Sequence, residues 1–221
     1  MKWAHREHMD AALALLYLDA QRAVGRPKAA RRRSICLRSI MARSLSVCVF
    51  CGSSFGKNPA WASLASATGA VLARHGAEVV YGGGRVGLMG LVADAALAEG
   101  GRVAGIIPRH LARAEVEHAG LTELIETETM SERKTAMIAR SDAFVVLPGG
   151  FGTLDELLDV LTLRQLAQHD KPTVIVDAAG YWQNLRRLLE GIVAEDFARP
   201  GNLDFMTWIG SAEELPRALG L

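Results

Sequence analysis

Short runs of β-branched and other apolar residues alternate with longer helix-favouring segments along most of this chain, and that alternation limits the fold more than any other feature. The runs are Leu45–Phe50, Glu78–Tyr81, Arg102–Ile107, Leu121–Thr127, Ala143–Leu147, Thr173–Asp177 and Phe205–Ile209. Each spans four to seven residues, the length of a strand rather than a helix. Helices are expected at Pro59–His75, Leu88–Glu99, Ser131–Arg140, Thr153–Gln168 and Tyr181–Phe197, with a short one from Ser211. Asn58 and Ser131 offer capping side chains, and Pro59 suits a first helical position. Gly76 and Gly100-Gly101 close helices, and Pro108 ends the third strand. Residues 109–120 carry no clear period. Strands joined through helices run parallel, with right-handed crossovers. The expected fold is therefore α/β: a doubly wound, Rossmann-like parallel sheet with helices on both faces. Ligands in such sheets bind beyond the carboxyl ends of the strands.

Charge divides the chain. Residues 1–44 hold ten of the 25 Lys/Arg and three of the 24 Asp/Glu, a net of +7, which leaves residues 45–221 at −6. The first 44 residues read as a basic N-terminal extension, dispensable to the fold. Ala11–Val24 has helical composition, Gly25-Arg26-Pro27 breaks it, and Arg31–Arg33 is a charge cluster. A targeting peptide or a nucleic-acid contact are the alternatives for this segment. The body, 45–221, is mildly acidic, without the basic stripe of a nucleic-acid binder. No apolar run approaches the ~20 residues of a membrane span. Three cysteines cannot build a disulfide framework, so reduced thiols and a cytoplasmic location are expected.

Three glycine- or serine-rich loops follow predicted strands. Pro148-Gly149-Gly150-Phe151-Gly152-Thr153 joins a buried strand to a helix, with three glycines in four residues. Glycines let the backbone approach a ligand closely, and a helix start offers free N–H groups to an anion. The competing reading is a plain turn, with Thr153 and Glu156 forming a capping box. The loop is neither a P-loop nor a G-x-G-x-x-G dinucleotide fingerprint. Gly82-Gly83-Gly84 and Gly52-Ser53-Ser54 stand at two other strand ends, where together they could wall a nucleotide cleft. Arg133-Lys134 sits at a predicted helix start, where cations oppose the dipole, which suggests either an anionic ligand or a solvated pair.

The strings YGGGRVGLMG, MSERK and LPGGFGTLDE resemble those of the Lonely guy (LOG) family, in the same order and spacing, over Leu45 to Leu221. Members of that family are cytokinin riboside 5′-monophosphate phosphoribohydrolases, often mislabelled lysine decarboxylases. The resemblance implies a catalytic pair of Arg133 and Glu156. It implies nucleotide contacts from Lys134, from Gly149, Gly150, Phe151, Gly152 and Thr153, and from Glu115 and Thr162. Ser53, Ser54, Gly82, Gly83 and Gly84 would complete the cleft. The partners it implies are a small-molecule nucleotide and a second copy of the chain, in a homodimer whose site borrows residues across the interface. No cofactor or metal is implied. Leu163 stands where the family usually has Trp, Arg164 where it has a small residue, and Ser131 where it often has His or Gln.

The implied reaction is hydrolysis of the N-glycosidic bond of an N6-substituted AMP, giving free base and ribose 5-phosphate. Such a reaction passes through an oxocarbenium-like sugar and needs a carboxylate near C1′. A general AMP nucleosidase and a non-catalytic nucleotide or molybdenum-cofactor carrier are the alternatives. Cys48-x-x-Cys51 has a redox spacing but begins inside a buried strand, so inert packing is expected. The six histidines are scattered, with no H-x-x-x-H or H-E-x-x-H, and no G-x-S-x-G elbow is present.

Overall fold

The computed structural model describes residues 44–112 and 118–221. Seven strands form one parallel sheet: β1 (Ser46–Phe50), β2 (Glu78–Tyr81), β3 (Val103–Pro108), β4 (Glu123–Thr127), β5 (Ala143–Val146), β6 (Thr173–Val176) and β7 (Met206–Ile209). Their order is β4-β3-β2-β1-β5-β6-β7. The helices are α1 (Ala60–Arg74), α2 (Gly87–Ala98), the short α3 (Arg109–Ala112), α4 (Met130–Arg140), α5 (Phe151–Gln165), α6 (Gln183–Ala194) and α7 (Leu215–Leu219).

Successive strand side chains point to opposite faces. In β1, Val47 and Val49 join the core under α1, α2 and α7, while Cys48 and Phe50 join the core under α4, α5 and α6. Burial on both faces is why the strands read as unbroken apolar runs. Strand order reverses at β1, which pairs with β2 on one side and β5 on the other. Loops leaving β1 and β5 therefore diverge and open a crevice at their carboxyl ends. The doubly wound α/β expectation holds.

Local differences have local causes. Thr129, not Ser131, caps α4: its Oγ1 accepts from the Glu132 amide at 3.1 Å, and Glu132 returns a bond to the Glu128 amide. Helix α5 begins at Phe151 with Gly150 as its cap, so the Thr153–Glu156 capping box does not form and both side chains are released for other work. Pro59 occupies the cap position of α1, and Asn58 instead accepts from the Ala60 amide at 3.0 Å. Helix α6 starts at Gln183 rather than Tyr181, because Ala178–Gly180 forms a three-ten turn first. Residues 109–112, expected to be irregular, form α3.

The far end of α4 is fastened by charge. Arg140 bridges Glu78 at the start of β2 (3.1 Å) and Glu123 at the start of β4 (2.6 Å). Arg133 lies seven residues earlier, about 10 Å along the helix, at the carboxyl ends of the strands. Among the described residues no helix is long and apolar enough to cross a membrane. The N-terminal extension expected over 1–44 lies outside the described residues except for Ser44, as does Glu115.

Candidate active site

The loops after β1, β2 and β5 interlock through their backbones. The Gly52 amide donates to the Pro148 carbonyl (3.1 Å), and the Leu88 amide donates to the Gly52 carbonyl (3.0 Å). These links make one floor of three segments.

Arg133 projects from the first turn of α4 and is only 8% exposed. Its Nε donates to the Ile106 carbonyl and its Nη2 to the Gly82 carbonyl, both at 3.1 Å. A Cβ at Gly82 would sit 1.9 Å from that Nη2. A side chain there would force the guanidinium to shift, so the glycine after β2 leaves room for Arg133. No carboxylate pairs with Arg133 within salt-bridge distance among the described residues. Backbone carbonyls satisfy part of its donor fork while its full charge stays in the site.

Glu156 lies in the second turn of α5, half-buried. Its carboxylate makes no hydrogen bond or ion pair with another described residue. Burial pushes its pKa up to about 7. Arg133 is the strongest force pulling it back down, with Asp155 pushing up, Lys134 pulling down and Asp159 pushing up in turn. An unpaired carboxylate poised near neutrality beside a cation is the arrangement expected of a general base.

Arg133, Glu156, Thr153, Gly150 and Ser53 face a common cavity of about 220 Å³, which Phe151 and Gly152 also line. Phe151, 92% exposed, stands at its rim. An adjoining cavity of about 460 Å³ shares Gly52, Ser53 and Gly150 with it and adds Ser54, Gly149 and Tyr181. Of the residues singled out in the sequence, Ser53, Ser54, Arg133, Gly149, Gly150, Phe151, Gly152, Thr153 and Glu156 line one or both of these cavities. Gly83 does not line either cavity; it packs on β3, where a Cβ would come 3.0 Å from Ile107. Gly84 likewise lines neither.

Lys134 and Thr162 face a third cavity, of about 710 Å³, between α4 and α5. Lys134 is held by Asp155 (2.9 Å) and Asp159 (2.7 Å), which raise its pKa. Within one chain, therefore, Thr162 does not meet the Glu156 cavity. Leu163 lines the third cavity, whereas Arg164 turns away from it. The Arg164 guanidinium donates to the carbonyls of Lys171 (3.1 Å) and Phe205 (3.0 Å) and stacks over the Phe205 ring.

Met89, Met130 and Asp155 line the Glu156 cavity without having been marked by the sequence. The two methionines stood in the quoted strings YGGGRVGLMG and MSERK, where an apolar residue reads as core. Burial drives the thiol pKa of both Cys48 and Cys51 upward, which leaves them as packing groups rather than thiolates.

Similar folds occur among solved structures. The chain is similar to the molybdenum cofactor binding protein from Rippkaea orientalis, with TM-score 0.62, 19% identity and coverage of 81% of this chain and 97% of that one. It is also similar to the Moco carrier protein from Chlamydomonas reinhardtii, with TM-score 0.61, 18% identity and coverage of 80% and 96%. At these identities the likeness concerns the fold. Sequence relatives stand nearer. The chain is 40% identical over 180 residues to the cytokinin riboside 5′-monophosphate phosphoribohydrolase LOG5 of Arabidopsis thaliana, covering 81% of this chain and 79% of the relative. It is 40% identical over 173 residues to the probable enzyme of the same description, LOGL1, of Oryza sativa subsp. japonica, covering 78% of each. Residues 89–219 match the family model described as "Possible lysine decarboxylase". The chain belongs to that family, the one containing the LOG phosphoribohydrolases.

Proposed function

We propose that this protein hydrolyses the N-glycosidic bond of cytokinin riboside 5′-monophosphates, with Glu156 and Arg133 as its catalytic pair. The observation that carries the reading is the carboxylate of Glu156, unpaired and raised to about 7, sharing a cavity with the Arg133 guanidinium and the start of α5. The amides at Gly150–Thr153 and the positive end of the α5 dipole suit a 5′-phosphate. Glu156 follows Gly150 by six residues, about 9 Å along the axis, which leaves space for a ribose between them. With the phosphate anchored, C1′ faces the carboxylate. Glu156 takes a proton from water as that water attacks C1′, and its charge stabilises the cationic sugar. The C1′–N9 bond breaks, its electron pair leaves with the purine as an anion, and the proton held by Glu156 returns through solvent to give the neutral base. Arg133 holds the carboxylate ionised against the cost of burial.

Product analysis tests this reading. N6-isopentenyladenosine 5′-monophosphate should yield free base and ribose 5-phosphate, and the matching nucleoside should yield neither. Faster release from AMP than from the prenylated nucleotide would overturn the cytokinin assignment. Binding without release would overturn the enzyme reading.

Gly82→Ala provides a geometric test. The added methyl must displace Arg133, and a displacement of about 1 Å is expected to lower kcat/KM about 10²-fold. Circular dichroism and thermal unfolding should show the sheet intact. Unchanged kcat/KM would remove Arg133 from the mechanism.

The catalytic unit is 45–221, and residues 1–44 are an extension to it in a cytoplasmic enzyme. A second copy of the chain covers the face between α4 and α5, bringing Thr162 and Lys134 next to a neighbouring substrate. Light scattering should report a dimer; a monomer with full activity would overturn this arrangement.

A further inference from the structure

We propose that Tyr181 is a positioning residue for the phosphate-binding loop, holding the Gly149–Gly150 peptide in the one orientation that presents a donor to the anion. The proposal rests on the assignment of that loop to the substrate's 5′-phosphate. Tyr181 lies beyond β6, 32 residues from the loop, and its hydroxyl donates to the Gly149 carbonyl at 2.6 Å. The ring that delivers this hydroxyl is 40% exposed and packs against two tryptophans. It meets Trp61 edge-on at 5.4 Å and Trp182 edge-on at 4.7 Å, and both tryptophans are buried. The Trp182 amide is tied in turn to Asp177 Oδ1 at 2.6 Å.

What the hydroxyl holds would otherwise be loose. A peptide between two glycines turns over at little steric cost, because neither flanking residue has a Cβ. Its carbonyl and N–H point in opposite directions. With the Gly149 carbonyl held toward Tyr181, the Gly150 N–H is aimed away from it. Turned over, the peptide would offer a carbonyl oxygen where an N–H had been, and an oxygen repels phosphate. The turn would also carry Gly150 from φ −99° to positive φ, a region open to glycine and costly to alanine. A Cβ at Gly150 would meet no protein atom within 4 Å, so alanine fits the native state.

A double-mutant cycle, read by titration with inorganic phosphate and by steady-state kinetics, tests the clamp. Tyr181→Phe keeps the ring and its contacts with Trp61. It should raise the Kd for phosphate and the KM for the nucleotide together, by about 5–10-fold, the size of one neutral hydrogen bond. kcat should stay within about twofold, since the loss is in binding. In the Gly150→Ala background the same substitution should change either constant by less than about twofold, because the turned-over state is already closed. A loss of thermal stability with phosphate affinity unchanged, an equal loss in both backgrounds, or a loss confined to kcat would each overturn the proposal. A wild-type protein that binds phosphate but hydrolyses no nucleotide would end the hydrolase reading, while the phosphate titration still decides the clamp.

Discussion

Replacing Glu156 with glutamine should abolish turnover while leaving the nucleotide bound. The substitution keeps the volume and removes both the basic oxygen and the negative charge opposite the sugar cation. General-base catalysis is worth about 10²–10⁴-fold by itself, and losing the electrostatic contribution adds to that, so kcat should fall at least about 10³-fold. Affinity should change little, because the proposed phosphate site is the start of α5 and not the carboxylate. Single-turnover assays and calorimetry with the same nucleotide separate the two effects. A Glu156→Gln protein that retains more than a tenth of wild-type kcat would remove Glu156 from the chemistry.

The same residue sets the pH dependence of both rate and stability. As the proposed base, Glu156 must be ionised, and burial lifts its pKa from 4.5 to about 7. kcat/KM should therefore fall as pH drops through about 7. Stability runs the opposite way. Between the unfolded pKa and about 7 the folded chain binds the extra proton, so raising pH across that window destabilises it. Above the window the buried charge costs up to about 3 kcal/mol. Glu156→Gln should accordingly melt higher than the wild type at pH 8 and converge with it near pH 4.5. Urea or thermal unfolding at the two pH values reads this directly. A glutamine variant less stable at pH 8 would mean that the carboxylate has an ionic partner.

Strand positions and the three glycine loops were legible because their signals are local. An apolar run of four to seven residues flanked by glycine has few readings. The cap of α4 was not, because Thr129 and Ser131 both carry a hydroxyl, and only the backbone path from β4 decides which one meets a free amide. Helix α5 starts two residues early for a similar reason: Gly150 takes an extended conformation that a capping Thr153 would not need. The charge pattern at Arg133-Lys134 admitted both a ligand and a solvated pair, and the structure divides the two residues. Arg133 turns inward onto strand-end carbonyls, while Lys134 turns to the aspartates of α5. Tyr181 could not be marked from sequence, since its partner is a carbonyl 32 residues away.

Arg133→Ala tests whether the two side chains of the proposed catalytic pair act on each other. Two consequences are expected. The carbonyls of Ile106 and Gly82 lose their donor, and Glu156 loses the strongest influence holding its pKa down. The acid limb of kcat/KM should move to a pH above the wild-type value of about 7. At pH 7 fewer molecules would carry the base, and those that do would lack the neighbouring cation, so kcat/KM should drop by about 10²–10³-fold. Part of that loss should return as pH rises toward 9, because the ionised fraction recovers even though the geometry does not. Arg133→Lys should separate charge from shape. A lysine keeps the positive charge but cannot span two carbonyls as a planar fork does. Its acid limb should stay near that of the wild type, with kcat/KM lowered about tenfold through misplacement alone. An Arg133→Ala profile whose acid limb does not move would show that the guanidinium orients substrate without influencing Glu156, and the pair would have to be treated as two independent groups.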